Sequence, residues 1–369
     1  MREKDILSIP PYLRQYFSED SQFYYYEEYK KHICLHRQIE NRFLCLKGFS
    51  SSTPLVNSAA FDSNSMGGGF FFKFNGLGIV VDPGIGFTTL MHKHSIFIDD
   101  IDVVLVTHSH IDHNCDVAAL SSLLHDFNRS RESRIKVYSE YLGYPASINH
   151  TIEWFLDDTT LNNSTEILDK DHVHRLAELV SQPYCFLESH AVALSITAFH
   201  TQHIKGSSDS FGLRFEFNLT ERSAVWGYTS DTSYFDDLIS LLAGCDVLVL
   251  NISDIYVTDV VHSKLKRSHL GFTGCERLIS QIHPNLALIS EFCCTNGDYR
   301  FEIVRALREK YPQLNTIILP AEIGCSISIS AADMECTLCR RLSSISSLKV
   351  IRPQHEYEKM QYVCRNCLL

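Results

Sequence analysis

The chain has 369 residues, of which 45% are hydrophobic and 21% charged, and a formal net charge of −11. These values are ordinary for a soluble globular protein of one large domain or two, and the acidic balance argues against a broad phosphate-binding surface. There is no apolar run of the roughly 18 residues that cross a membrane, and no apolar segment follows Arg2 and Lys4 as in a signal peptide. Thirteen cysteines, an odd number without an export signal, predict reduced thiols and a cytoplasmic location.

Residues 1–42 are dense in aromatic and charged side chains and indicate helical or mixed structure. We interpret them as an N-terminal extension and a candidate oligomer contact, such as the interface of a homodimer. From Phe43 the pattern changes to short apolar runs, which predict strands over Phe43–Gly48 and Gly67–Phe74. A tight turn at Gly76-Leu-Gly78 then leads into a third strand that ends in Asp82-Pro-Gly.

The stretch Ile101-Asp-Val-Val-Leu-Val-Thr-His-Ser-His-Ile-Asp-His113 combines a buried strand with a cluster of ligand-type side chains. Residues two apart in an extended chain point to the same side, so His108 and His110 converge on one point. Asp112 and His113 follow as the chain bends away, and they serve a second point nearby. Because imidazole and carboxylate groups bind zinc and similar divalent ions, we predict metal ligands here rather than a polar loop.

This H-x-H-x-D-H run resembles the signature of the metallo-β-lactamase-fold hydrolases, and the strand–turn–strand run ending in Asp82 resembles the opening of that fold. The resemblance extends from Phe43 to Gly324. It implies an α/β protein built as an αββα sandwich, with the main domain over residues 43–330. It also makes Asp82 a candidate to orient a ligand histidine, the alternative being a turn-forming role before Pro83.

After the histidine-rich run, the pattern predicts a helix over Ala118–Phe127 and a strand over Arg134–Ser139. Residues 141–190 are polar and less regular, which indicates an insertion or a substrate-facing arm. We expect His172 and His174, which lie in this insertion, to be solvated rather than metal-bound.

The resemblance implies further ligands at strand ends downstream. Alternation over Ala191–His200 predicts a strand, and the ribonuclease Z and phosphodiesterase branch of the superfamily places a metal histidine just after such a strand. His203 fits that place better than His200, because it lies past the strand end. The next strand ends in Ser230-Asp-Thr, where the resembling families usually show Gly-Asp-Thr. Asp231 is the predicted carboxylate that bridges two cations, and a helix N-cap is its alternative role.

The strand Leu286–Phe292 ends where the fold places its last ligand, usually a histidine. This chain offers Glu291 instead, since His283 precedes the strand. We predict Glu291 as an oxygen ligand of the second metal, which makes manganese an alternative to zinc because carboxylates favour harder ions. His269 begins a loop that resembles the one supplying a proton-transfer histidine in ribonuclease Z-type enzymes. Its sequence, His-Leu-Gly, differs from the one usual in that family. The alternative is a histidine at the start of a helix that is held there by packing.

Two C-x-x-C pairs, separated by 24 residues, lie in the last segment, 331–369. The four thiols are Cys336, Cys339, Cys364 and Cys367. Two such pairs are typical of a zinc-ribbon-like Cys₄ site, and so short a segment needs a metal to fold. We predict one structural zinc ion, with ordinary free thiols as the alternative.

The two sets of ligands predict two active-site cations that share a bridging water and lower its pKa. One set is His108, His110, His203 and Asp231, and the other is Asp112, His113, Asp231 and Glu291. As catalytic groups, Asp112 accepts a hydrogen bond from the nucleophile, and His269 stabilises the oxyanion or protonates the leaving group.

The resemblance favours a phosphodiesterase or nuclease acting on a nucleotide or nucleic-acid phosphodiester, with no membrane partner. Two alternatives stay open: a lactonase or amidase of the same fold, and a catalytically weakened module that binds nucleic acid or protein.

Overall fold

The computed structural model describes residues 41–48, 68–101, 103–108, 110–128, 194–203, 210–254, 269–291, 299–351 and 360–368. The predicted N-terminal extension before residue 41, the strand Arg134–Ser139, and His172 and His174 of the insertion lie outside this part of the chain. Among the described residues, no helix has the length and apolar character needed to cross a membrane.

The described strands follow in chain order. They are β1 Arg42–Cys45, β2 Phe70–Phe74, β3 Leu77–Val81, β4 Val103–Leu105, β5 Leu194–His200, β6 Phe211–Asn218, β7 Ser223–Tyr228, β8 Val247–Asp254, β9 Leu270–Gly271, β10 Leu286–Ser290, β11 Ile317–Pro320, β12 Ser326–Ser328, β13 Asp333–Glu335, β14 Leu342–Ser344, β15 Lys349–Ile351 and β16 Gln361–Val363. The described α-helices are α1 Phe87–Lys93, α2 Ile111–Asn114, α3 Val117–Asn128, α4 Asp237–Leu241, α5 Phe272–Ile282 and α6 Arg300–Lys310. Single 3₁₀ turns lie at Ile98–Asp100, Ile345–Ser347 and Arg365–Cys367.

Two mixed sheets form the body of the described chain. The first has the strand order β14-β13-β12-β1-β2-β3-β4, and the second has the order β11-β10-β8-β7-β6-β5 with β9 beside β8. In the first sheet only β3 and β4 pair in parallel, whereas in the second β7, β8, β10 and β11 are parallel neighbours. β5 runs in the same direction as β7, because each is antiparallel to β6.

The inner faces of the two sheets meet in a core rich in aromatic residues. The rings of Phe43 and Trp226, from opposite sheets, are 5.0 Å apart between centroids, and those of Phe72 and Phe215 are 4.8 Å apart. Strand alternation produces this core, since every second side chain of a strand faces the same side. Trp226 also donates its indole N–H to the carbonyl of Ile329 at 2.8 Å, so its polar atom is satisfied inside the core.

Helices cover the outer face of each sheet. The faces of β3 and β4 that point away from the core between the sheets carry apolar side chains. These side chains pack with those of α1 and α3 in a cluster that includes Val80, Val104 and Leu120. On the second sheet, β8 and β10 pack in the same way against α4, α5 and α6. The result is the four-layered αββα sandwich expected from the resemblance, and this prediction is confirmed.

The C-terminal segment continues the first sheet. β12 pairs with β1, and β13 and β14 add two further strands at the same edge. Tyr362 of β16 belongs to the core between the sheets and donates its hydroxyl to the carbonyl of Pro320. All described residues lie in one compact unit, and the boundary between residues 330 and 331 stays a prediction.

Candidate metal centre

The site lies where several strands end at one edge of the sandwich. Three residues just beyond the ends of β3, β7 and β10 have a left-handed backbone: Asp82 with φ 52°, Ser230 with φ 50° and Glu291 with φ 37°. This conformation is costly for any residue with a Cβ atom, and such strain concentrates at functional sites. The chain therefore holds the predicted ligand Glu291, the candidate orienting residue Asp82, and Ser230 beside Asp231 in this conformation at an energetic cost.

The structure brings the first predicted ligand set together. The ligand atoms of His108, His110, His203 and Asp231 all lie within 4.8 Å of one another. His203 Nε2 is 2.9 Å from His110 Nδ1 and 3.7 Å from Asp231 Oδ2, and His108 Nε2 is 3.8 Å from the same oxygen. His110 is exposed while the other three are buried, so the set is reached from solvent on the His110 side.

His108 presents a lone pair to this set. Its Nδ1 lies 3.2 Å from Thr107 Oγ1, whose hydroxyl donates to Asp82, so Nδ1–H is the donor to Thr107. Its Nε2 is buried and has no hydrogen-bond partner among the described residues. A buried imidazole nitrogen without a partner, facing a carboxylate and two more imidazoles, fits a divalent cation.

The protonation states of the first set also suit a metal. Burial lowers the pKa of His108 well below its usual value. Burial alone would raise the pKa of Asp231, but His269 holds it well below the usual range. A neutral imidazole and an ionised carboxylate are the forms that bind a divalent ion.

The second predicted set is also assembled, and it shares Asp231 with the first. The ligand atoms of Asp112, His113, Asp231 and Glu291 lie within 4.8 Å of one another, and all four residues are buried. His113 Nε2 is 3.5 Å from Asp231 Oδ2 and 3.7 Å from Glu291 Oε2. Burial raises the pKa of Glu291 to about 7, and the ammonium of Lys47 opposes that rise.

Lys47, which sequence analysis did not identify, lies inside this second set. Its Nζ is 2.6 Å from Glu291 Oε2 and 3.2 Å from His113 Nε2, and the side chain is completely buried. Burial would lower the pKa of Lys47, but Glu291 and Asp231 raise it above its usual value. The first set therefore fits a metal ion, whereas the second already contains a cation of the protein itself.

Asp82 fixes the orientation of His113. Its Oδ2 accepts hydrogen bonds from His113 Nδ1 at 2.8 Å, from the Thr107 hydroxyl at 2.8 Å and from Tyr228 OH at 2.9 Å. Its Oδ1 accepts the backbone N–H of Thr107 at 2.7 Å. Because a carboxylate only accepts, the proton of His113 lies on Nδ1, and its Nε2 lone pair points into the second set. Of the two roles considered for Asp82, the orienting role agrees with these contacts.

Asn251 is a second residue that sequence analysis missed. Its amide nitrogen lies 3.0 Å from Asp231 Oδ1, 2.9 Å from Glu291 Oε2 and 3.1 Å from Tyr228 OH. It thereby links carboxylates that belong to both sets. One signal in the sequence could have identified it: Asn251 is a polar residue that directly follows the apolar run Val247–Leu250 of β8.

His269, the predicted catalytic histidine, also lies at this site. Its Nε2 is 3.1 Å from Asp231 Oδ2, and its ring centroid is 4.6 Å from that of His203. Burial would lower the pKa of His269, but Asp231 raises it above the usual value. By contrast, His200 lies within β5 beside Phe211, and His283 caps the C-terminus of α5, ahead of the first residue of β10.

The four predicted zinc-binding thiols of the tail also converge. The Sγ atoms of Cys336, Cys339, Cys364 and Cys367 lie within 4.8 Å of one another. The backbone N–H of Cys364 points at Cys336 Sγ at 3.4 Å. Burial would raise the pKa of Cys336, but backbone N–H groups, first that of Cys339, lower it to about 6. Four convergent thiols, one of them held near its thiolate form, fit the closed Cys₄ site of a structural zinc ion.

Comparison with known proteins gives the class. The model of the beta-lactamase superfamily domain matches residues 78–290, and the chain belongs to this family. A curated relative, the cAMP/cGMP-dependent 3′,5′-cAMP/cGMP phosphodiesterase B of Dictyostelium discoideum, is 22% identical over 293 residues. That match covers 74% of this chain but only 23% of the relative's length.

Solved structures show the same fold. The metallo-beta-lactamase fold protein YhfI from Bacillus subtilis is 17% identical, with a TM-score of 0.51 over 78% of this chain and 98% of its own. The short form of human tRNase Z is 15% identical, with a TM-score of 0.50 over 78% of this chain and 99% of its own. Identities this low support the fold and leave the substrate to other arguments.

Proposed function

We propose that this chain hydrolyses phosphodiesters of nucleotides or nucleic acids, using a divalent cation held by His108, His110, His203 and Asp231. The observation that carries this proposal is the convergence of these four ligand atoms within 4.8 Å of one another. The name of the Dictyostelium relative, a cyclic-nucleotide phosphodiesterase, supports a phosphodiester over a lactone or an amide as the substrate class.

When bound, the cation supplies Lewis acidity, which stabilises charge on the phosphoryl oxygens and lowers the pKa of a water molecule. Asp112 belongs to the second set and lies close to Asp231, so its carboxylate can accept a hydrogen bond from the attacking water. The side chain of His269 is 29% exposed and lies against Asp231, so it can donate a proton to the leaving oxygen. Asp231 would hold the cation and also contacts His269, whose Nε2 is 3.1 Å from its Oδ2.

The test is a substrate panel: bis(p-nitrophenyl) phosphate, cyclic AMP and GMP, a short RNA, single-stranded DNA and a lactone, each with zinc or manganese. We expect turnover of at least one phosphodiester and a loss of roughly 100-fold or more in the variant Asp231→Asn. Asp246→Asn is the matched control, because Asp246 is also a hydrogen-bonded carboxylate of the second sheet. Asp246 lies directly before the first residue of β8, at the end of that strand away from the site. Hydrolysis of the lactone alone would contradict the proposal.

Several finer expectations stay predictions. These are the choice between zinc and manganese, a second active-site cation, the structural zinc of the tail, the cytoplasmic location and a homodimer. Of these expectations, the second cation is the one that the described contacts concern most, because Lys47 contacts two of the four ligands predicted for it.

A further inference from the structure

Lys47 contacts two members of the second ligand set. Its ammonium contacts the carboxylate of Glu291 at 2.6 Å and the Nε2 of His113 at 3.2 Å. These are two of the four atoms that a second cation would need. A divalent ion and an ammonium cannot share this space, because both are positive and both need the same lone pairs.

The hydrogen bonds around Lys47 show that these lone pairs are already used. His113 donates its Nδ1–H to Asp82, so its Nε2 is an acceptor, and a lysine ammonium can only donate. Glu291 Oε2 accepts both Lys47 and the amide of Asn251 at 2.9 Å. The oxygen and the nitrogen that face the second position are thus both satisfied by the protein.

The charges in the site agree with one cation rather than two. The second set contains three carboxylates, those of Asp112, Asp231 and Glu291. Together with the ammonium of Lys47, these three carboxylates carry a formal charge of −2. A single divalent ion brings the sum to zero, whereas two divalent ions would leave two excess positive charges in a buried site. An excess of this size is strongly unfavourable away from water.

Displacing Lys47 would also be costly, because the side chain is completely buried. It extends from the end of β1, where the carbonyl of Lys47 accepts the thiol of Cys45 at 3.3 Å. A lysine ammonium that loses its carboxylate partner inside a protein is strongly destabilising.

We propose that Lys47 takes the place of the second cation, so that the active site binds one divalent ion at His108, His110, His203 and Asp231. Lys47 is then a positioning residue: it neutralises Glu291 and holds His113 at the distance that a second ion would otherwise set. Glu291 and Lys47 form one unit, in which a carboxylate replaces the histidine expected from the resemblance and supplies the partner of the ammonium. This inference rests on the proposed function, since it concerns the same site.

The test is the number of ions bound per chain, measured by inductively coupled plasma mass spectrometry after incubation with excess zinc and desalting. We expect two ions in the wild-type protein, one in the first set and one at the four cysteines of the tail. In Lys47→Ala the second position is open and its carboxylates are uncompensated, so we expect three. Lys73→Ala is the matched control, because Lys73 also pairs with a carboxylate, Asp100 at 3.0 Å, but lies outside the site, and it should keep two.

Three ions in the wild-type protein would overturn the inference, and so would a Lys47→Ala protein that is folded and still binds two. If Lys47→Ala does not fold, the wild-type count and the anomalous map of a zinc-soaked crystal decide, and a peak beside Glu291 overturns the inference. The count is independent of turnover. Two ions with no phosphodiester hydrolysis would contradict the proposed function alone, and three ions with hydrolysis would contradict this inference alone.

Discussion

The substitution Asp82→Asn tests whether the hydrogen bonds beneath the site hold it in place. Asp82 is completely buried and accepts four hydrogen bonds, three on Oδ2 and one on Oδ1. Its φ of 52° is tolerated by asparagine about as well as by aspartate, so the exchange adds no backbone strain. What changes is that one oxygen becomes an NH₂ group, which donates where an acceptor is needed.

The magnitude follows from the contacts. In the better orientation of the new amide, its oxygen keeps His113, Thr107 Oγ1 and Tyr228, while its NH₂ faces the backbone N–H of Thr107. One buried N–H then lacks an acceptor, which costs about 1–3 kcal/mol of stability. The remaining hydrogen bonds also become weaker, because their acceptor no longer carries a negative charge. We expect Asp82→Asn to lower the free energy of unfolding by about 3–5 kcal/mol, measured by urea denaturation at neutral pH with zinc present.

Asp100→Asn is the control for this prediction. Asp100 pairs with Lys73 at 3.0 Å and accepts the N–H of Phe97 at 2.9 Å, but the Lys73–Asp100 pair is partly exposed. Solvent screens such a pair, so we expect a loss of about 1 kcal/mol. An Asp82→Asn protein within about 1 kcal/mol of the wild type would refute the reasoning that this network orients the site.

Three further predictions concern backbone strain, the tail and alkaline pH. Ser230→Gly relieves the strain of a left-handed residue, which stabilises by about 1 kcal/mol, but it loses the 2.7 Å hydrogen bond to Thr107, which costs a similar amount. Urea denaturation should therefore show almost no change in the free energy of unfolding. Ser230→Ala loses the hydrogen bond without relieving the strain, and should lower the free energy of unfolding by about 1 kcal/mol. Cys336→Ser should remove one zinc ion per chain by mass spectrometry and make the segment after residue 331 sensitive to limited proteolysis; an unchanged count would argue against a metal at the four thiols. Burial raises the pKa of Cys45 to about 12 from 9.0, so the native state holds this proton longer than the unfolded state, and stability falls as pH rises through that range. Urea denaturation with reductant present should show a loss of about 1 kcal/mol from this thiol between pH 9 and about pH 10, and a flatter dependence on pH in Cys45→Ala.

The local part of the site could be predicted from the sequence, because its geometry is fixed by spacing alone. His108 and His110 are two apart just beyond β4, and in an extended backbone side chains two apart lie on one side. The later ligands, His203, Asp231 and Glu291, depended on the resemblance, since no local pattern shows that residues so far apart in the chain share one edge of a sandwich. The structure brings His203 and Asp231 together with the two histidines, and Glu291 together with Asp231.

Lys47 and Asn251 could not be predicted in the same way. A lysine is not a metal ligand of the usual kind, and its role here depends on Glu291, which lies more than 200 residues away in the chain. What the sequence does show is a charged residue that extends the apolar run Phe43-Leu-Cys-Leu, and a polar one that follows the apolar run of β8. A polar side chain within a buried apolar run, as Asn251 is, or directly after one, as Lys47 is, must find a buried partner, and that rule would have singled out both residues.

One helix and three strands of the fold escaped sequence analysis because they are short. The helix α1, Phe87–Lys93, has only seven residues, too few for a clear helical period. The strands β12, β13 and β14 have three residues each, and pairing with β1 rather than local preference makes them part of the first sheet.

The account depends most on a cation at the first ligand set, and the anomalous difference map of a crystal grown with zinc measures this directly. The four thiols of the tail serve as an internal reference for zinc in the same map. We predict a second peak, about 2.0–2.2 Å from the facing atoms of His108, His110, His203 and Asp231. A map with the tail site occupied and no peak among these four residues would contradict the account.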